Sequence, residues 1–328
     1  MSDSLENITS PQKDLKKQKQ PWWRWLITAA ALGLFVYVIS QQGWDEFIET
    51  LKTVYLPFAL TGLALLFVSR QVVAARWYAL LKISEKPIRY WETLKLTYAG
   101  LFASNFLPTS IGGDLVRFIG MTQRGMDGAL VLASLIIDRV IGMAGMSLLV
   151  PGGVYMVTHP LTPAMQTLIP ARLTAVSGFG ITLHKLWEKL LGFLKTTIFD
   201  LLIWVKRPKN LLFAFIFTLI HEFVIFGMVW FFLRSLGENV PYWTVASLYS
   251  LSYLATLIPL SIGGLGIQEM SITYLYSQFG GVSVQAALAL AILSRMAFVL
   301  NSLPGVFVLP SVLKERDETQ LTKTEKQN

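Results

Sequence analysis

The sequence predicts an all-α integral membrane protein: a polytopic helical bundle with about six full spans and two re-entrant broken-helix hairpins arranged as an inverted repeat. Composition is the first reason, because 53% of the 328 residues are hydrophobic, 15% are charged and the mean hydropathy is +0.53. Such values are typical of a polytopic membrane protein. A repeated motif and the distribution of basic residues are the other two reasons.

The repeated motif is a hexapeptide in the middle of two apolar stretches. Residues 108–113 read Pro-Thr-Ser-Ile-Gly-Gly, and residues 259–264, which begin 151 positions later (259 − 108), read Pro-Leu-Ser-Ile-Gly-Gly. Proline lacks an N–H and paired glycines favour non-helical backbone, so we expect helix breaks at Pro108 and Pro259. Broken backbone at membrane depth is tolerated only where it lines a protein-enclosed or wet cavity. Two breaks in matching halves indicate the binding site of a transporter.

The ends of the chain differ from its middle. Residues 1–20 are polar and rich in lysine and glutamine, and 314–328 are similar, so we expect two cytoplasmic tails, of which 1–20 is disordered. Between them we expect a single transmembrane domain over 21–313. Its full spans are predicted near residues 22–42, 54–81, 128–158, 164–183, 210–235 and 284–310, and its broken segments at 91–124 and 242–279.

The domain is predicted to consist of two half-repeats, at about 54–158 and 210–310. The repeat extends beyond the hexapeptide, since Tyr98 aligns with Tyr249 at the same 151-residue offset (249 − 98). The segment 184–209 repeats leucine, tryptophan and phenylalanine at helical spacing with lysines between them. This pattern predicts an amphipathic helix on the inner leaflet surface that links the two half-repeats.

The distribution of basic residues predicts the orientation. The predicted outer loops 43–53 and 236–241 contain four acidic residues and a single basic one, Lys52. By the positive-inside rule both termini are expected to be cytoplasmic, with the first broken hairpin entering from the cytoplasm and the second from outside. Twenty of the 28 lysines and arginines lie in the predicted inner segments 1–25, 82–92, 112–127, 184–209 and 311–328.

Composition and motifs also exclude several classes of protein. The net charge of +8 is spread between apolar spans and no nucleic-acid motif accompanies it, so we expect no nucleic-acid partner. The chain has no cysteine and three histidines, so we expect no metal and no cofactor. The sequence lacks nucleophile-elbow, nucleotide-phosphate and dinucleotide motifs, and we therefore expect no enzymatic activity.

Two adjacent charges lie deep in a predicted span. Asp138 and Arg139 follow Gly128, where the span begins, by ten and eleven residues (138 − 128 and 139 − 128). An isolated charge at such depth costs roughly 2.5–3.5 kcal/mol, so each needs a partner or water. Adjacent helical side chains point about 100° apart, so we expect Asp138 and Arg139 to reach different elements. The candidate partners are Asp114, Arg117, Glu269 and Arg295.

Arg295 lies at a depth similar to that of Arg139, and the two arginines of inverted halves are expected to converge near the midplane. A guanidinium suits bidentate contact with phosphate, which favours a lipid head group as ligand. A purely structural lattice of ion pairs between the halves is the alternative. The predicted substrate-binding residues are Arg139, Arg295, Asn105, Ser110, Gly112, Gly113, Arg117, Ser261, Gly263 and Gly264, with Asp114, Asp138 and Glu269 as ion-pair or charge-relay residues.

Other polar residues in the spans have simpler interpretations. Arg70 and Arg76 lie toward the predicted cytoplasmic end of the second span, where long basic side chains reach the interface. We interpret them as interfacial anchors. His221 and Glu222 lack the second histidine of a zinc-protease motif, so we interpret them as a buried polar pair rather than as metal ligands.

Four motifs occur together in the sequence: Arg76-Trp77 before Leu-Leu; Asn105-x-x-Pro108-x-x-x-Gly112-Gly113-Asp114-x-x-Arg117; Asp138-Arg139-x-x-Gly142; and Pro259-x-Ser261-x-Gly263-Gly264-x-Gly266-x-x-Glu269. In combination they resemble the lysylphosphatidylglycerol synthase membrane region, also called the flippase-like integral membrane proteins, over roughly residues 22–310. The resemblance implies translocation of lipids between leaflets. In bifunctional members this region flips an aminoacylated phosphatidylglycerol made by a C-terminal transferase domain.

The sequence ends at Asn328 without a transferase region, so we expect no synthesis of lysyl-lipid. We expect a lipid transporter that moves an anionic phospholipid or a polyprenyl-phosphate-linked lipid between leaflets of the inner membrane of a bacterium or archaeon. One alternative is an intramembrane head-group transferase or hydrolase, with Asp138 or Glu269 as general base. Another is an accessory subunit that works with a lipid-synthesising or glycan-assembly enzyme.

Overall fold

The computed structural model describes residues 48–49, 52–84, 86–106, 112–158, 208–256, 266–310 and 312. The predicted spans near 22–42 and 164–183, both tails, and all but the last two residues of the linking segment 184–209 lie outside these ranges. Within them the regular secondary structure is helical. The helices are α1 (Leu56–Leu81), α2 (Tyr90–Phe106), α3 (Gly112–Gln123), α4 (Gly128–Ser147), α5 (Val150–Thr158), α6 (Pro208–Ser235), α7 (Tyr242–Thr256), α8 (Ile267–Phe279) and α9 (Val284–Ser302).

Four stretches in the described part are long and apolar enough to cross a membrane. They run over Leu56–Leu81, Gly128–Thr158, Pro208–Ser235 and Val284–Pro310, and have 26 to 31 residues. About 20 apolar residues suffice to span the hydrocarbon core. Four of the predicted spans are therefore confirmed as membrane-length apolar stretches. The protein is a multi-pass membrane protein, and the part that the structure describes is all-helical.

A shorter pair of helices follows the first long helix of each chain half. Helices α2 and α3 meet as an antiparallel hairpin, since Gly100 of α2 lies against Gly113 of α3, and Leu96 lies against Gly120. Helix α2 ends at Phe106 and α3 begins at Gly112. Helices α7 and α8 form the second pair, joined by the Tyr276 hydroxyl, which donates to the Val245 carbonyl at 2.8 Å.

The structure corrects the position of the first glycine pair. Gly112 and Gly113 were expected in the helix break, but they are the first two residues of α3. A Cβ on Gly113 would lie 2.1 Å from Ser104 Oγ and 2.5 Å from the Gly100 carbonyl oxygen. Glycine at position 113 therefore permits the close approach of α2 and α3.

The two long helices that open the halves, α1 and α6, pack antiparallel along their whole length. At one end the Tyr55 N–H donates to the Ser235 carbonyl at 2.7 Å, and at the other Asn210 Nδ2 donates to the Ala79 carbonyl at 2.8 Å. Between these ends, Leu66 of α1 belongs to a buried apolar cluster with α6 residues. The α1–α6 pair is the central contact between the first half (α1–α5) and the second half (α6–α9 with the helical segment 304–310).

Each half also reaches across to the hairpin of the other. Gly153 of α5 lies against α7, where a Cβ would be 2.6 Å from the Ser247 carbonyl oxygen. Gly305, in the helical segment after α9, lies against α2, where a Cβ would be 2.1 Å from the Tyr98 carbonyl oxygen. The segment that follows the last long helix of each half therefore packs on the first arm of the opposite hairpin, and the two halves interlock.

Candidate functional site

The arginines predicted in the sequence each bind a carboxylate of the same half. Arg139 of α4 donates its Nε to Asp114 Oδ2, and Arg295 of α9 donates its Nε to Glu269 Oε1. Arg295 Nη2 also donates to Gln268 Oε1 at 3.3 Å. Both pairs connect a long helix to the second arm of the hairpin that precedes it. Among the described residues, the ion pairs of Arg139 and Arg295 lie within the halves, whereas the lattice alternative placed ion pairs between the halves.

The two carboxylates lie at the same position of their helices. Asp114 is the third residue of α3, and Glu269 is the third residue of α8. A carboxylate in the first helical turn is favoured by the helix dipole and by the free N–H groups there. Glu269 Oε2 accepts a hydrogen bond from the Gly266 N–H at 2.8 Å. Gly266 has a φ of 81°, a conformation that favours glycine.

Asp138 is the centre of a more deeply buried network. Arg76 of α1 donates Nε to Asp138 Oδ1 at 2.7 Å, and Arg117 of α3 donates Nη2 to Asp138 Oδ2 at 3.2 Å. Arg117 also donates Nη1 to Asp114 Oδ1 at 3.4 Å, so the charges alternate from Arg76 through Asp138, Arg117 and Asp114 to Arg139. Asp138 reaches α1 as well as α3, while Arg139 reaches α3.

The structure corrects the interpretation of Arg76 as an interfacial anchor. Arg76 is only 7% exposed, and its Nη1 also donates to Thr218 Oγ1 of α6 at 3.3 Å. The adjacent Trp77 is fully buried, donates Nε1 to Ser134 Oγ at 3.1 Å, and has the Arg117 guanidinium 4.0 Å from its ring centroid. Arg76 lies five residues before the end of α1 (81 − 76), where a basic residue beside tryptophan is typical of the membrane interface, so no signal in the sequence indicated its burial.

The members of this network differ in exposure. The Asp138 side chain is 4% exposed, whereas the Arg139 side chain is 51% exposed. Arg139 lies eleven residues after Gly128 (139 − 128), roughly 16 Å along the helix at about 1.5 Å per residue. A half-exposed guanidinium at that depth is unfavourable in hydrocarbon and requires water or a polar group beside it. Arg139 is therefore the member of the network best placed to meet a ligand.

Arginines of both halves lie within electrostatic range of two tyrosines of α7. Tyr253 lies within electrostatic range of Arg139, Arg76 and Arg70, and Tyr249 lies within electrostatic range of Arg70 and Arg295. Residues four apart share a helix face, so Tyr249 and Tyr253 lie together. Arg139 and Arg295 each retain a carboxylate partner in their own half.

The remaining predicted site residues are divided between described and undescribed ranges. Asn105 is exposed in the last turn of α2, and Gly112 is buried at the start of α3. Pro108, Ser110, Pro259, Ser261, Gly263 and Gly264 lie outside the described residues.

The fold and the buried charges define the class, a polytopic α-helical membrane protein with an arginine–carboxylate network inside its helical bundle. The chain belongs to the family described as the lysylphosphatidylglycerol synthase TM region, which matches residues 22–305. The resemblance inferred from the motifs is thus confirmed, and the family gives the protein a membrane-lipid-related role.

Two archaeal proteins illustrate how far the similarity extends. A UPF0104 membrane protein of Pyrococcus horikoshii is 22% identical over 330 aligned residues, which cover 87% of this chain and 96% of the relative. A UPF0104 membrane protein of Archaeoglobus fulgidus is 24% identical over 233 residues, which cover 61% of this chain and 70% of the relative. The similarity to the first protein extends over nearly its whole length.

Proposed function

We propose that this protein is a lipid transporter that moves an anionic phospholipid or a polyprenyl-phosphate-linked lipid between the leaflets of the inner membrane. The observation that supports this most directly is Arg139, a half-exposed guanidinium deep in a membrane-length helix. The phosphate of a lipid head group would offset the cost of that charge. A guanidinium can bind a phosphate through two parallel hydrogen bonds.

The carboxylate partners give the arginines a defined state when no lipid is bound. Asp114 holds Arg139 at its Nε, and Glu269 holds Arg295 in the same way. Each guanidinium is therefore held in a defined orientation, while its terminal nitrogens include further donors. A phosphate would share the guanidinium with the carboxylate or displace it, and the carboxylate would recover the arginine after release.

We further propose an inverted repeat with six full spans, two re-entrant hairpins and cytoplasmic termini. Contacts between the described halves support the inverted repeat. Helices α1 and α6, the first of each described half, are antiparallel, as an inversion of the second half requires. The crossings at Gly153 and Gly305 are also equivalent under an exchange of the halves. In transporters of this design one repeat moves relative to the other around a site near the midplane.

An intramembrane transferase or hydrolase is less well supported. Such an enzyme would need a general base, and the candidates were Asp138 and Glu269. Asp138 is bound by Arg76 and Arg117, and Glu269 is bound by Arg295. Each carboxylate is therefore engaged by arginine donors rather than directed at a substrate, which disfavours it as a general base.

The test is head-group movement in proteoliposomes that contain a fluorescent anionic phospholipid or a labelled polyprenyl phosphate. Arg139→Met and Arg295→Met are expected to abolish movement, and Arg139→Lys to reduce it because lysine lacks the planar fork. Arg124→Met is the control, since Arg124 pairs with the partly exposed Glu92 outside the network. Unchanged movement in Arg139→Met and Arg295→Met would contradict the proposal.

A further inference from the structure

The membrane helices of the described part contain four carboxylates that are shielded from solvent, and one of them stands apart. Asp114, Asp138 and Glu269 each bind an arginine directly. Glu222 of α6 is 5% exposed, and within the described residues it forms no ion pair and its Oε2 has no hydrogen-bond partner. A buried carboxylate without a countercharge is strongly disfavoured in its ionised form. Glu222 is therefore suited to hold a proton.

The surroundings of Glu222 come from four packed helices. Helix α4 approaches at Gly145, whose ideal Cβ position lies 3.4 Å from Glu222 Oε1, and it contributes the ionised Asp138. Helix α1 contributes Arg70 and Arg76, of which Arg76 lies within electrostatic range of Glu222. The adjacent residue on α6 is His221, and α7 contributes Tyr249 and Tyr253, each within electrostatic range of Glu222. Arg295 of α9 lies within electrostatic range of Tyr249.

These neighbours leave Glu222 without a dedicated cation. Arg76 is bound to Asp138, and Arg295 is bound to Glu269. The ring of His221 is hydrogen-bonded through Nδ1 to Ser69 Oγ at 2.9 Å. Arg76 thus lies close enough to influence Glu222 electrostatically, but its ion pair is formed with Asp138.

The equivalent position of the first half is an amide. Gln71 precedes Glu222 by 151 residues (222 − 71), the offset of the repeated hexapeptide. Gln71 donates Nε2 to the Tyr98 hydroxyl at 3.3 Å and accepts from the Tyr90 hydroxyl at 3.1 Å. Glu222 lies within electrostatic range of Tyr249, the counterpart of Tyr98. The two halves thus differ at this point by a group that can bind and release a proton.

We propose that Glu222 is a proton-binding site and that its protonation accompanies the capture of an anionic head group at Arg139. The second part of this proposal rests on the proposed lipid transport. One proton binds the carboxylate and gives the neutral acid, so one positive charge is added as the phosphate brings one negative charge. A monoanionic head group and a proton could then cross the bilayer together without moving net charge.

Arg76 provides the connection between Glu222 and the ligand arginine. An ionised Glu222 draws Arg76 toward α6 and weakens its bond to Asp138. Asp138 then binds Arg117 more strongly, and Arg117 moves away from Asp114. Asp114 in turn binds Arg139 more strongly. Protonation of Glu222 has the reverse effect, so Arg139 is held less tightly by Asp114 and is more available to phosphate.

The first experiment measures the proton directly. Infrared difference spectra of the protein in ether-linked phospholipid, which lacks ester carbonyls, should show a protonated-carboxyl band that disappears with rising pH. The band should be lost in Glu222→Gln and kept in Glu238→Gln, a control that replaces a partly exposed carboxylate bound to Ser283, the N-cap residue of α9. A band that persists in Glu222→Gln, or no band in the wild-type protein at any pH, would overturn the assignment of Glu222 as the proton site.

The second experiment tests coupling. Movement of an anionic lipid should slow as pH rises in the wild-type protein and in Glu238→Gln, and should lose its pH dependence in Glu222→Gln. Wild-type movement that does not vary with pH would overturn the coupling while leaving lipid transport established. An absence of movement in every protein would contradict the proposed function and the coupling, and the infrared result would still decide whether Glu222 holds a proton.

Discussion

Arg139 and Arg295 occupy equivalent positions in the two halves of the chain. Each lies twelve residues after the N-cap of its long helix (139 − 127 and 295 − 283). Each donates its Nε to the third residue of the preceding helix, Asp114 for Arg139 and Glu269 for Arg295. The same local arrangement is thus built twice, and the Arg139 side chain, at 51% exposure against 23%, is the more open of the two.

The buried end of the charge network should matter more for stability than its exposed end. Arg76→Met is expected to lower the free energy of unfolding by roughly 3–5 kcal/mol, because it removes a direct countercharge of the buried Asp138. Arg139→Met should cost less, since that side chain is half exposed. Denaturation of the detergent-solubilised protein measures both. Equal losses would contradict the difference in burial, and Asp138→Asn should restore much of the stability of Arg76→Met.

Gly113, at the start of the second arm of the first hairpin, gives a prediction about packing. Gly113→Ala should lower the free energy of unfolding by about 1–3 kcal/mol, because the added Cβ meets Ser104 Oγ and the Gly100 carbonyl oxygen. The control is Gly128→Ala, where the nearest atoms would be 3.6 Å away. Thermal unfolding in detergent distinguishes the two variants. A Gly113→Ala protein as stable as Gly128→Ala would show that α2 and α3 separate easily.

The inverted arrangement makes a prediction about topology. The chain contains no cysteine, so single cysteines can be labelled without background. Asn239→Cys, in the short loop after α6, should react with an impermeant thiol reagent from outside. Arg89→Cys, just before α2, should react only after the membrane is opened, as should cysteines in 1–20, 184–209 and 314–328. Labelling of Arg89→Cys from outside would contradict the predicted orientation.

Apolar periodicity and motif spacing were sufficient to predict the four described spans and the positions of the hairpins. The pairing of Arg139 with Asp114 was also among the predicted partners. These features depend on local sequence, since length and hydropathy define a span and a charge at that depth requires a partner.

The sequence did not predict which charges are shared between helices. Arg76 was interpreted as an interfacial anchor because it lies near a helix end, yet helix packing places it against Asp138 of α4. Gly113 was attributed to the helix break because glycine suits irregular backbone. In the structure its missing side chain allows Gly100 of α2 to pack closely against α3. Both outcomes are determined by contacts between helices, which periodicity within one helix does not specify.

The last prediction separates a ligand-binding role of Arg139 from a structural one. Arg139→Met leaves Asp114 with Arg117 as its described cationic partner, and the loss of the short-range pair should reduce stability. Adding Asp114→Asn removes the carboxylate that lost its partner, so stability should recover. Lipid movement should stay abolished in the double variant, because neither methionine nor asparagine can neutralise a phosphate.

Thermal stability in detergent and head-group movement in proteoliposomes should be measured for Arg139→Met, Asp114→Asn and the double variant. Recovery of stability without movement would place Arg139 at the head group. Recovery of both quantities would show that the pair is structural and would remove Arg139 from the substrate site. The equivalent cycle with Arg295→Met and Glu269→Gln then tests the second half, where the arginine is less exposed and also bonds Gln268, so its loss should affect stability more than that of Arg139.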